Sequence, residues 1–201
     1  MKQTRVRLAL LAVIALIAVP ALLPATASAK NFKLGTGKVV VRLDSFFDLF
    51  ISAGYPIYPV APASMAFDAP GSRIALPITG GTWNAGLHPH GTFKLRGGIV
   101  YIHYNAVPTL ETLSVPGWRA GINTSASWTG LINGTRTTIL DEDLTTSHTT
   151  FPTAHGQKFV KITGVVLTYD AALTNAFNSA FSIGLSLNTP FGTATLLARV
   201  K

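Results

Sequence analysis

The sequence predicts a mainly β fold: a two-sheet antiparallel β-sandwich, or a flattened barrel, with two short helices. Three observations predict it. Apolar residues recur mostly at every second position in a chain rich in Thr, Gly, Val and Ile, the period and composition of half-buried strands. Short runs of this kind follow one another at even spacing between turn residues, as in sandwiches and barrels. Asn133-Gly134, two residues that tolerate positive φ, lies between the runs 128–132 and 135–140 and predicts a tight hairpin.

Taken in order, the first 29 residues stand apart. They hold Lys2, Arg5 and Arg7 with no acid, an apolar run over 8–23 broken by Pro20, and the small residues Ala27-Ser28-Ala29. These are the three parts of a secretory signal peptide, with cleavage expected before Lys30. The run is shorter than the roughly 20 residues a membrane span wants. Removing its three cations takes the formal charge from +8 to +5, so most of the basic character belongs to the export signal. Residues 30–201 are of a size expected for one domain, and no later apolar stretch reaches spanning length.

Within that domain, strands are predicted over 38–43, 73–78, 92–95, 99–104, 110–115, 120–132, 135–140, 159–169 and 193–200, with Arg96-Gly97-Gly98 as a second turn. Asp44 or Ser45 can cap a short helix in which Phe46, Phe47, Phe50 and Ile51 share a face, and Gly54 sits where a left-handed terminator is wanted. Asp170 can cap a second helix, with Leu173, Ala176, Phe177, Ala180 and Phe181 spaced by threes and fours. Between Gly54 and Gly71 the four prolines remove amide donors and predict an extended surface loop.

The chain has no cysteine, which excludes a disulfide scaffold, a thiol nucleophile, a thiolate metal site and an acylated Cys. Neither a G-x-S-x-G elbow nor H-E-x-x-H occurs, and no Gly-rich phosphate loop. The basic residues are spread along the chain, which disfavours nucleic acid. Asp141-Glu142-Asp143 fits no calcium loop and reads as a solvated turn after the hairpin. A metal or haem site would have to use His with Tyr or carboxylates. His88 and His90 flank Pro89 and could share a metal in extended backbone, or lie exposed in a loop. His103 shares a strand face with Ile99 and Tyr101. His148 and His155 read as solvated. Tyr55 and Tyr58 on the Pro-rich loop, and Trp83 near a Gly, are aromatic candidates for partner contact. Core packing is the alternative for Trp83, Trp118 and Trp128.

Several stretches together resemble secreted actinobacterial proteins of the HtaA-like type. They are Pro59-Val60-Ala61-Pro62-Ala63, Pro77-Ile78-Thr79-Gly80-Gly81, Gly97-Gly98 before an apolar strand, the Asn133-Gly134 hairpin, and residues 175–181 followed by Gly192-Thr193-Ala194-Thr195. The resemblance implies a β-sandwich with short helices and a cell-surface role, which in well-known members is haem binding and uptake. In those members a Tyr on the first short helix ligates iron and a His before the Gly-containing turn supports it. Here that helix offers Phe46, Phe47, Leu49 and Phe50, and Leu95 precedes the turn.

The expectation is therefore a secreted, non-enzymatic binding or envelope-associated module, with its ligand and oligomeric state left open. Its first alternative is haem binding through a displaced site drawn from Tyr55, Tyr58, His88, His90 and His103. The second is a carbohydrate-active hydrolase using a pair among Asp48, Asp68, Glu111 and Asp143. Tyr55, Tyr58 and Trp83 are the expected partner contacts.

Overall fold

The computed structural model describes residues 30–68, 71–86, 89–104, 110–123 and 127–201, without the side chains of Asp48, Leu49, Asp68 and Tyr104. The signal segment 1–29 and the candidate His88 lie outside the described residues.

The elements run β1 (Asn31–Leu43), α1 (Phe46–Ser52), β2 (Ile57–Val60), β3 (Ser64–Asp68), β4 (Gly71–Asn84), β5 (His90–Leu95), β6 (Gly98–Tyr104), β7 (Leu110–Pro116) and β8 (Arg119–Ile122). There follow β9 (Ser127–Ile132), β10 (Thr135–Asp143), β11 (His148–Thr150), β12 (Thr153–Ala154), β13 (Gln157–Tyr169), α2 (Ala171–Phe181) and β14 (Pro190–Val200). Among the described residues these strands make two antiparallel sheets. The larger is ordered β1-β14-β13-β10-β9-β8-β5-β4-β3, with β11 and β12 on β13, and β1 also pairs with β4, so the sheet closes on itself. The smaller is β2-β6-β7. Mainly β, two antiparallel sheets and two short helices are as the alternation predicts.

Alternation decides what faces in. Val39, Val41 and Leu43 of β1, Ile74, Leu76 and Ile78 of β4, and Ala194, Leu196 and Ala198 of β14 are all buried, while the residues between them face outward. Asn133 and Gly134 both take positive φ, 50° and 79°, as the two-residue hairpin between β9 and β10 requires. Both helix caps are made as expected: the Asp44 carboxylate accepts from Phe46 N at 3.0 Å and the Asp170 carboxylate from Ala172 N at 2.7 Å.

Four expectations are corrected. The Pro-rich segment is not a free loop: β2 and β3 form within it and pair with β6 and β4. Pro59 is tolerated because β2 is an edge strand, where a missing donor faces no partner. Arg96-Gly97-Gly98 is not a hairpin turn but the crossing from β5 in the larger sheet to β6 in the smaller. The stretch 120–132 is two strands rather than one, β8 and β9. Asp141-Glu142-Asp143 is ladder-paired in β10 against β13, not a solvated turn.

Glu142 is the informative member of that run. Its carboxylate accepts from Asn123 N at 3.1 Å and from the Trp128 indole at 3.3 Å. Burial pushes its pKa up from 4.5 to about 7, outweighing both hydrogen bonds. The folded state therefore holds this proton more tightly than the unfolded chain, and stability falls as pH rises from about 4.5 to 7. After allowance for screening of a partly exposed group, the loss should be about 1–3 kcal/mol. Glu142→Gln keeps an acceptor oxygen and should flatten the melting temperature between pH 5 and 8; an unchanged pH profile would refute this account.

A second buried polar pair lies in the core. The hydroxyls of Tyr101 and Tyr169, both fully buried, are 2.9 Å apart, and burial holds both phenols far above their ordinary pKa. Tyr101→Phe strands the Tyr169 hydroxyl and should cost about 1–3 kcal/mol in denaturant unfolding. Replacing both by Phe should restore most of it, and additive losses would show that the hydroxyls do not act as a pair.

Candidate functional site

The site is built from the end of α1. Gly54, at φ 91°, donates its amide to Ile51 O at 3.1 Å, and Tyr55 donates to Phe50 O at 3.0 Å, a Schellman termination. The hydrophobic contact that accompanies this motif is Tyr55 on Phe50, with ring centroids 5.7 Å apart. Tyr55 is thereby directed back over the helix, half-buried against the core, instead of outward on a loop.

The chain then enters β2. Ile102 N donates to Pro56 O at 3.1 Å, and this bond sets Tyr55 level with His103 at the far end of β6. The two rings stack, with centroids 4.3 Å apart and planes 15° from parallel. Register places Glu111 of β7 directly opposite His103, and its carboxylate lies 3.0 Å from His103 Nδ1. A carboxylate oxygen accepts there, so Nδ1 carries the proton and Nε2 keeps a lone pair. From α2, Phe181 meets both rings edge-on, at 5.6 Å from Tyr55 and 6.2 Å from His103, and Phe177 lies beneath at 6.3 Å from Tyr55.

The structure thus brings together Tyr55 and His103 from the residues the sequence singles out, and adds Glu111 in a role the sequence did not assign. The other candidates lie elsewhere. Tyr58 is 44% exposed and pairs with Val100, on the face of the smaller sheet opposite that of Tyr101 and His103. His90 is on the larger sheet, in register with Asn84. Trp83 cannot meet a partner: it is 1% exposed and packs on Phe93, and among the described residues its indole nitrogen has no acceptor. Trp118 and Trp128 are core residues too, edge to face at 6.2 Å. Tyr55 was legible as more than a loop residue, since Gly54 after an apolar helix predicts that the next residue packs back on it.

A small antiparallel sheet and a short helix packed on a closed larger sheet, with an aromatic and imidazole site at their junction, define a β-sandwich of HtaA-like fold. Two solved structures share it. The C-terminal domain of HtaA from Corynebacterium glutamicum superposes with a TM-score of 0.57 over 85% of this chain and 99% of that domain, at 10% identity. The heme binding protein HtaB from the same organism superposes with a TM-score of 0.53 over 86% and 97%, at 11% identity. No protein-family model and no curated protein matches the sequence.

Proposed function

We propose that the chain is a secreted, non-enzymatic module of the cell surface that binds haem, with Tyr55 as the iron ligand and His103 and Glu111 behind it. The observation that carries this is a half-buried phenol stacked on an imidazole whose other nitrogen is tied to a carboxylate. Export follows from residues 1–29, and residues 30–201 are the single domain delivered. The shared fold with a heme binding protein supports the choice of ligand.

The donor set fits. Among the described residues no three His, Asp or Glu side chains converge, so a bare metal ion would lack ligands. Haem carries four nitrogens of its own and asks the protein for one or two axial donors, and tyrosinate is one of its known ligands. When bound, haem supplies a ferric centre that favours an anionic oxygen. Glu111 orients His103 and keeps Nε2 basic, which assists loss of the Tyr55 proton. Phe50, Phe177 and Phe181 exclude water from the inner side of the pair.

A hydrolase is less well supported. Glu111 is engaged by His103, and Asp143, on the other sheet, accepts from Thr145 N at 2.8 Å. Asp48 and Asp68 have side chains outside the description. Titrating the purified protein with haemin should give a shifted Soret band saturating at one haem per chain; a spectrum identical to free haemin overturns the proposal.

A further inference from the structure

Charge is segregated on this surface. β1, β14 and β13 are neighbours in the larger sheet, and none of the three contains an Asp or Glu. With the residue that follows β14 they carry Lys33, Lys38, Lys158, Lys161, Arg199 and Lys201. Register arranges these cations. Lys38 and Lys161 stand opposite Leu197 from either side, a row across two interstrand spacings, or about 10 Å. Arg199 and Thr195 follow on the same side of β14.

At the end of this face the cations converge. Lys201 N donates to Lys33 O at 2.9 Å, which holds the chain end beside β1. Gly35 lies below: a Cβ there would stand 3.3 Å from Lys201 Cε and 3.4 Å from Arg199 Nε, so the bare backbone leaves room for both side chains. Lys158, Arg199 and Lys201 line an open cleft of about 420 Å³ with Gln157, and no carboxylate is in the lining. Holding like charges together is unfavourable, and a bound anion relieves it. Phe151, 47% exposed, stacks on Phe32 of β1 at 5.9 Å and adds one ring beside the cleft.

We infer that the β1–β14–β13 face binds an extended anionic polysaccharide of the cell envelope. A long, shallow row of cations suits a polymer with repeated charge better than one small anion. Thr195 and Gln157 offer hydrogen bonds to sugar hydroxyls, and a single exposed ring suits a sugar face better than a lipid surface, which takes several apolar side chains. The choice of a glycan over nucleic acid rests on the secretion proposed above.

The test measures binding of the purified full chain to polygalacturonate and to neutral dextran in 50 and 200 mM NaCl. Binding to polygalacturonate alone is expected, weakening by about tenfold between the two salts. The triple variant Lys158→Gln, Arg199→Gln, Lys201→Gln should lose about tenfold, and the equal-charge triple Lys94→Gln, Arg96→Gln, Arg119→Gln should lose little. Should the first triple fail to fold, Lys161→Gln, an exposed single change, should lose about two- to threefold. Equal losses in the two triples, tighter binding to duplex DNA or to phosphatidylglycerol vesicles, or no binding at all would each overturn the inference. Haemin titration of the same variants reads the haem site separately, and an unchanged Soret band with lost polygalacturonate binding shows that the two sites are independent.

Discussion

Tyr55→Phe is expected to lower haem affinity by at least about 100-fold, roughly 2.7 kcal/mol, while leaving thermal unfolding unchanged. The substitution removes one oxygen. The ring keeps its contacts with Phe50 at 5.7 Å, Phe181 at 5.6 Å and His103 at 4.3 Å, and the Schellman turn that places it uses only backbone. His103→Ala should cost less, about 10- to 100-fold, because it acts through Tyr55 and not on the iron. Its loss should also raise the pH at which the Soret band reaches its final form, since ionising the phenol is no longer assisted. Tyr58→Phe, on the other side of the smaller sheet, should change nothing. If Tyr55→Phe binds haem as wild type does, the ligand assignment fails even though the fold stands.

Much of this was readable before the structure, and the rest was hidden for physical reasons. Strand alternation exposed the core of β1, β4, β13 and β14 because each presents one face to the interior. The two caps were visible because Asp44 and Asp170 precede apolar runs of helical period. The prolines concealed β2 and β3, since the rule against Pro in a ladder holds for inner strands and not for an edge. Glu142 was misread because an acidic run usually means solvent, whereas here one of the three turns inward to meet Asn123 and Trp128.

The site divides in the same way. Tyr55 and His103 were both named, and Glu111 was considered only as a hydrolase carboxylate. They are far apart in sequence, and their meeting depends on the register of β2 on β6 and of β6 on β7. Register between distant strands has no local signal. A residue type can therefore be nominated from sequence, but its partner is set by long-range pairing.

The largest effect on stability is expected at Phe177, which joins the core to the site. It is fully buried, and its ring lies 5.0 Å from Phe50, 5.0 Å from Tyr101 and 4.7 Å from Phe181. It is the one ring of α2 that contacts Tyr55, Tyr101 and Tyr169 together. Phe177→Ala should destabilise the fold by about 3–5 kcal/mol, the transfer of the ring plus the cavity it leaves. In a domain of this size that lowers the melting temperature by on the order of 10 °C. Phe177→Leu refills part of the space and should recover more than half of the loss. Phe151→Ala, at an exposed ring, should cost under about 0.5 kcal/mol. Haem affinity should follow Phe177 as well, since the floor under Tyr55 is lost with the ring, so the Ala variant should weaken binding even below its melting temperature. A loss of stability under about 1 kcal/mol in Phe177→Ala would mean that α2 does not hold the smaller sheet to the larger one, and that the site is supported by β6 and β7 alone.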